Sequence, residues 1–139
     1  MTAPAIDPNA AIIDDFRAND GVVGGYFAHL TLLLLHHKGA RTGIERVSPL
    51  ATQPVDGGWA IFASKGGADD DPAWYHNLLA HADVSIEVGT ETIAVRAREA
   101  VGDEYERIWS KQKADAPQFA EYERKTARAR IPVIVLERI

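Results

Sequence analysis

The amino-acid sequence predicts an α+β domain, in which about six mainly antiparallel strands curl into a small barrel with short helices packed around it. Three observations lead there. Six apolar stretches of strand length recur along the 139 residues, four of them follow one another in hairpin order, and the helical patterns are inserted late. A parallel sheet with helices alternating between strands does not accommodate that order.

The elements follow in turn. Asn9 to Asn19 reads as a short helix, with Ile12, Ile13 and Phe16 on one face and Gly21 ending it. "FAHLTLLLLHH", from Phe27 to His37, is a near-continuous apolar run of strand length. Lys38 to Gly43 is a glycine-bounded turn into a second strand, "IERVSPLATQPV". Asp56-Gly57-Gly58 turns the chain into a third, "WAIFAS". Asp71 is a natural N-cap and Pro72 suits the first helical position, so "PAWYHNLLAHA" reads as a helix. "VSIEV" and "TIAVRAREA" alternate apolar with polar across Gly89-Thr90, giving two more strands. Helices from Gly102 to about Ala114 and from Pro117 to about Ala127 precede the closing strand, "IPVIVLERI". Residues 1–26 thus form an N-terminal helix and arm, and residues 27–139 the barrel domain.

Composition narrows the function. The net charge of −5 argues against a nucleic-acid partner. The absence of cysteine excludes disulfides and thiolate metal sites and fits a reducing compartment. The longest apolar run is far too short to span a bilayer, and the N-terminus lacks the pattern of a secretory signal. A cytoplasmic monomer is expected, with peripheral contact with a membrane left open. Charge is nevertheless uneven. Residues 105–130 carry seven Lys and Arg against four carboxylates, and residues 38–65 carry four against two. Such local basic segments in an acidic chain suit a small anionic ligand or, equally, solvated faces.

Nucleotide-binding glycine loops, serine-hydrolase elbows and zinc-protease motifs are missing. No metal site is expected, because His36 and His37 are strand neighbours that point to opposite faces, and His76 and His81 are five apart on a helix. Two cationic turns remain. "KGARTGIERVSPL" offers Lys38, Arg41, Thr42 and Arg46 around Gly39 and Gly43, and "SKGGADDDPAWY" offers Ser64, Lys65, Gly66 and Gly67 before three aspartates. Glycines let backbone N–H groups converge on an anion while Lys and Arg supply charge-assisted bonds. Two hairpin loops with surface cations would show the same residues.

Taken in order, the G-x-[KR]-[ST]-G turn, the R-V-x-P-L step and the S-K-G-G-x-x-x-x-P-x-W-Y-x-N run resemble the deazaflavin-dependent nitroreductase family, from about Phe27 to the C-terminus. The resemblance implies a split β-barrel, coenzyme F-420 as cofactor, and hydride transfer from the reduced deazaflavin to an activated alkene, a quinone or a related electron-poor small molecule. By position it assigns Arg41, Thr42, Arg46 and Lys65 to the coenzyme's phosphodiester and nearby carboxylates. Pro49, Leu50 and Ser64 fall to the ring, and Pro72, Trp74 and Asn77 to the helix start beside the tail, with Gly66 and Gly67 in the turn itself. Ser64 and Tyr122 are the candidate hydroxyls for proton supply. Leu50 and Trp74 are equally consistent with plain core residues. Ala40 stands where many members carry a basic residue, and Ala51 where the nitroimidazole-activating member has an aromatic. A flavin-using split-barrel oxidoreductase and a non-catalytic coenzyme carrier are the alternatives.

Overall fold

A computed structural model of the chain describes residues 8–25 and 28–139. Its elements are α1 (Pro8–Ala18), β1 (Leu32–Lys38), β2 (Glu45–Val55), β3 (Gly58–Phe62), α2 (Ala73–Ala80), β4 (Asp83–Val88), β5 (Glu91–Glu99), α3 (Gly102–Asp115), α4 (Gln118–Lys125) and β6 (Val133–Arg138), with one 3-10 turn at Lys65–Gly67. The six strands close into an antiparallel barrel in the order β1-β2-β3-β6-β5-β4. The first strand begins at Leu32, not Phe27. Phe27 lies outside the described residues, and Ala28 to Leu30 form a turn and bend that deliver the chain to the sheet.

Burial explains which strands alternate. Leu33, Leu35, Ile61, Ile86, Val95, Ile134 and Leu136 fill the barrel, and Trp74 and Leu78 of α2 join that cluster. The outer faces of β3 and β6 are covered by α3 and α4 through Phe62, Trp109, Phe119, Val133 and Val135. Phe16 of α1 packs on Leu32 and Leu34 from outside. β1 and β6 are therefore buried on both faces over Leu32–Leu35 and Val133–Leu136, which is why their sequences are unbroken apolar runs. β5 carries no such cover and alternates buried Ile93 and Val95 with exposed neighbours.

β2 changes partner halfway. Ala51 and the residues before it pair with β1, whereas Thr52 to Val55 pair with β3. Pro49 and Pro54 each sit where one side of the strand makes no ladder, the position that tolerates a residue without an N–H. The edge left open beside Ser48 to Ala51 becomes one wall of the main cavity.

Candidate active site

β3 ends at Phe62 and the chain turns sharply at Ser64 to Gly67. Ser64 is right-handed, while Lys65, Gly66 and Gly67 follow at φ +46°, +63° and +85°. Lys65 is one of two non-glycine residues with positive φ among the described residues, a conformation costing roughly 1 kcal/mol for an L side chain. A right-handed residue followed by a left-handed one turns successive N–H groups toward one side, a concavity suited to anions. Strain of this kind persists only where the surroundings enforce it.

Those surroundings are the segment after α4. Arg128, whose side chain is 10% exposed, donates to the carbonyls of Ala63 and Ser64 at 2.8 Å each and to Asp71 Oδ1 at 2.6 Å. Thr126 Oγ1 donates to the Ala68 carbonyl, and the Ala127 N–H to Asp69 Oδ1. Lys65 Nζ meets Asp70 Oδ2 at 2.9 Å and holds that carboxyl below its ordinary range. Each of the three aspartates therefore has its own partner. This corrects the expectation that Asp71 caps α2. The cap position is Pro72, with extended backbone and no side-chain cap bond, because the Asp71 carboxylate is taken by the Arg128 guanidinium. Nothing in "TARARIP" marks Arg128 among its basic neighbours, so sequence reasoning missed it.

The first turn is built differently. Gly39 N–H bonds Ile44 O at 2.9 Å, Gly43 N–H bonds Gly39 O at 2.9 Å, and Gly43 has φ +69°. It rests on α2 through Ala40 N–H, which donates to Asn77 Oδ1 at 2.9 Å. Asn77 Nδ2 lies 2.9 Å from His37 Nδ1, and His37 Nε2 lies 2.9 Å from Ser48 Oγ. Asn77 and His37 are both buried. Burial first, then the charge of Arg46, hold the His37 pKa below its ordinary 6.5. His36 points the other way, to Glu45 and Glu87, as strand alternation requires.

Between β2, the second turn, α1 and α4 lies a cavity of about 340 Å³. Leu30, Leu32, Pro49, Leu50, Ala51, Phe62, Pro72, Trp74 and Phe119 give it apolar walls, with Ser48, Ser64, Lys65, Gln118 and Tyr122 as polar points. Gln118 Nε2 donates to the Tyr122 hydroxyl at 3.2 Å, and Gln118 Oε1 lies 2.7 Å from His29 Nε2. Of the residues singled out by sequence, Pro49, Leu50, Ser64, Lys65, Gly66, Pro72, Trp74 and Tyr122 line this cavity. Arg41, Thr42, Arg46, Gly67 and Asn77 do not. Arg41 and Thr42 sit on the exposed first turn, with Thr42 Oγ1 accepting the Ile44 N–H. Arg46 pairs with His37 across β1 and β2. Gly67 is packed so closely on α4 that a Cβ there would lie 3.0 Å from Tyr122 backbone. Asn77 spends its amide on Ala40 and His37.

A mostly apolar slot with a cationic, left-handed turn at its rim matches a coenzyme with a planar ring and an anionic tail. Comparisons with known proteins identify the family. The family model described as F420H(2)-dependent quinone reductase matches residues 11–138. The chain belongs to that family. It is similar to the F420H(2)-dependent quinone reductase of Mycobacterium tuberculosis, 38% identical over 109 residues, which are 76% of this chain and 72% of that protein. A solved F420-H2 dependent reductase is 36% identical with a TM-score of 0.67, over 75% of this chain and 92% of that one. Another solved chain, described as a domain-swapped dimer, is 35% identical with a TM-score of 0.71, over 92% of this chain and 93% of that one. Membership of the F420H(2)-dependent quinone reductase family makes the chain a deazaflavin-dependent reductase with coenzyme F-420 as its cofactor. It decides for a deazaflavin over a flavin and for an enzyme over a carrier. No helix among the described residues is long and apolar enough to cross a membrane, and none of their His and carboxylate clusters suits a metal.

Proposed function

We propose that this reductase acts on a quinone or an activated alkene, a planar electron-poor molecule held in the cavity between β2 and α4. The supporting observation is the cavity itself, with apolar walls for flat rings, one cationic turn at the rim and hydroxyls at Ser48, Ser64 and Tyr122. When bound, the reduced coenzyme supplies the hydride. The chain's own residues do the rest. Lys65 would hold an anionic group of the coenzyme in place of Asp70, with backbone N–H groups of the left-handed turn beside it. Leu50, Trp74 and Phe119 would exclude water from the bound coenzyme and substrate and orient them. A quinone that has accepted a hydride needs one proton to become a hydroquinone. We assign that proton to Tyr122, supported by its oxygen accepting from Gln118, which leaves its own hydrogen directed elsewhere. Ala51 adds no aromatic surface to the β2 wall, which leaves bicyclic nitroimidazoles little to stack against.

The test is a titration of purified protein with coenzyme F-420 and with FMN, followed by turnover of the reduced coenzyme with menadione and with an unsaturated lactone. Lys65→Ala should raise the coenzyme Kd about tenfold with an unchanged melting temperature. Tyr122→Phe should lower kcat about a hundredfold at constant Kd. Equal affinity for FMN and the deazaflavin, or turnover of neither substrate, would refute the reading.

A further inference from the structure

We propose that Ser48 is a hydrogen-bond donor to the ring bound in the cavity, held in that role by His37 and Asn77 behind it; this rests on reading the cavity as the deazaflavin and substrate site. The direction of every hydrogen in the chain follows from one backbone group. An amide N–H can only donate, so the atom of Asn77 that meets Ala40 N–H at 2.9 Å is the carbonyl oxygen. The Asn77 NH₂ group therefore faces His37, and it too can only donate. His37 Nδ1 must accept. A neutral imidazole that accepts at Nδ1 carries its hydrogen on Nε2, and Nε2 lies 2.9 Å from Ser48 Oγ. Ser48 accepts that hydrogen and cannot return its own along the same line. Its hydroxyl hydrogen points away from His37, and Ser48 lines the cavity.

Burial keeps His37 neutral, as this assignment needs. The charged and titratable groups acting on His37 are Arg46 of β2 and His36 of β1, while α2 presents the neutral Asn77 amide. The complementary ligand atom is a carbonyl oxygen on a planar ring, which the coenzyme or a quinone substrate can supply. Ser48 would touch the ligand. His37 and Asn77 are positioning residues that never reach it. The chain also ties the first basic turn, through Ala40, to the cavity wall on β2.

The experiment has three arms. In ligand-free wild type, nitrogen chemical shifts should show His37 protonated at Nε2, and an Nδ1-protonated ring would overturn the proposal. In Ser48→Ala, either the coenzyme F-420 Kd or the menadione KM should rise about threefold to tenfold, which tells the two sources apart. Asn77→Asp keeps the shape but presents a carboxylate that accepts from both Ala40 and His37. The ring hydrogen then moves to Nδ1, Nε2 becomes an acceptor, and Ser48 turns inward. Ligand affinity should fall to the Ser48→Ala level above pH 8 and recover at lower pH, where the ring gains a second hydrogen and Nε2 donates again. Wild type should show no such recovery. A pH profile parallel to wild type, or Ser48→Ala indifferent in both Kd and KM, overturns the donor alone. A wild type that binds no coenzyme overturns the reading of the cavity and this donor with it. The first two arms decide the matter even where Asn77→Asp does not fold.

Discussion

The two basic turns look alike in sequence and are held in opposite ways. At the first, among the described residues, Lys38, Arg41 and Arg46 make no ion pair, and the loop keeps its shape through a few backbone bonds, the Thr42 hydroxyl on the Ile44 N–H and one contact to Asn77. At the second, the cation is paired with Asp70, two carbonyls are gripped by Arg128, and two further bonds stitch the loop to residues 126 and 127. Both follow from what each turn connects. The first joins adjacent strands of one hairpin, whose ladder fixes its ends. The second joins a strand to a helix with no ladder to guide it, so its left-handed geometry must be imposed by tertiary contacts. One turn offers unpaired charge to a distant anion; the other offers preorganised backbone.

The largest effect should come from Arg128. Arg128→Met leaves the Asp71 carboxylate and two carbonyls without their donor in a half-buried site. Urea unfolding should show a loss of about 3 kcal/mol. The matched change at the first turn, Arg41→Met, should stay within about 0.5 kcal/mol. Equal losses would break the contrast. Next come the glycines. Gly67→Ala combines φ +85° with a Cβ 3.0 Å from Tyr122 backbone and should cost about 2 to 3 kcal/mol. Gly43→Ala at φ +69° meets no atom within 4 Å and should cost about 1 kcal/mol.

A smaller effect sharpens the contrast through pH. His37 has a folded pKa below its ordinary 6.5, so the folded state resists protonation more than the unfolded chain does. Its contribution is complete above pH 6.5 and is lost as pH falls from there toward the folded value. Stability measured from pH 7.5 to 5 should decline in wild type and decline less in His37→Gln. The carboxyl of Glu87, held low mainly by Arg17, adds its own loss only at lower pH. The smallest effect is on ionic strength. Arg41→Gln should weaken coenzyme binding about threefold at low salt and leave it unchanged in 1 M salt, because an exposed, unpaired cation acts through a screened field. A salt-independent loss would place Arg41 in direct contact with the coenzyme.

Much of the fold was legible because local rules and tertiary demands agree. Gly57 and Gly89 mark hairpin turns whose positive φ few other residues accept, and β5 shows its buried face by simple alternation. The twice-buried strands could be recognised but not oriented, since an unbroken apolar run carries no face. The start of β1 was misplaced for that reason: apolar residues before Leu32 continue the run, yet the chain bends there to bring Leu30 onto the cavity. The candidate site was legible as a motif. Lys65 and Gly66 were singled out because their types fit an anion turn, and both line the cavity. Arg128 and His37 were not found, because each acts through partners far along the chain: Ala63 for the one, Asn77 for the other.

The sequence by itself determined the strand count, the turns, the family and the coenzyme, since these depend on residue types and spacings that a chain carries before it folds. The tertiary structure decided which of three adjacent aspartates meets which donor, what caps α2, and which way the hydrogen on His37 points. Those outcomes depend on groups between 5 and 65 residues apart being brought within 3 Å of one another. At that distance a single part-buried guanidinium outweighs a local capping preference, because an unpaired charge in a partly desolvated site costs about 3 kcal/mol and a missing cap about one.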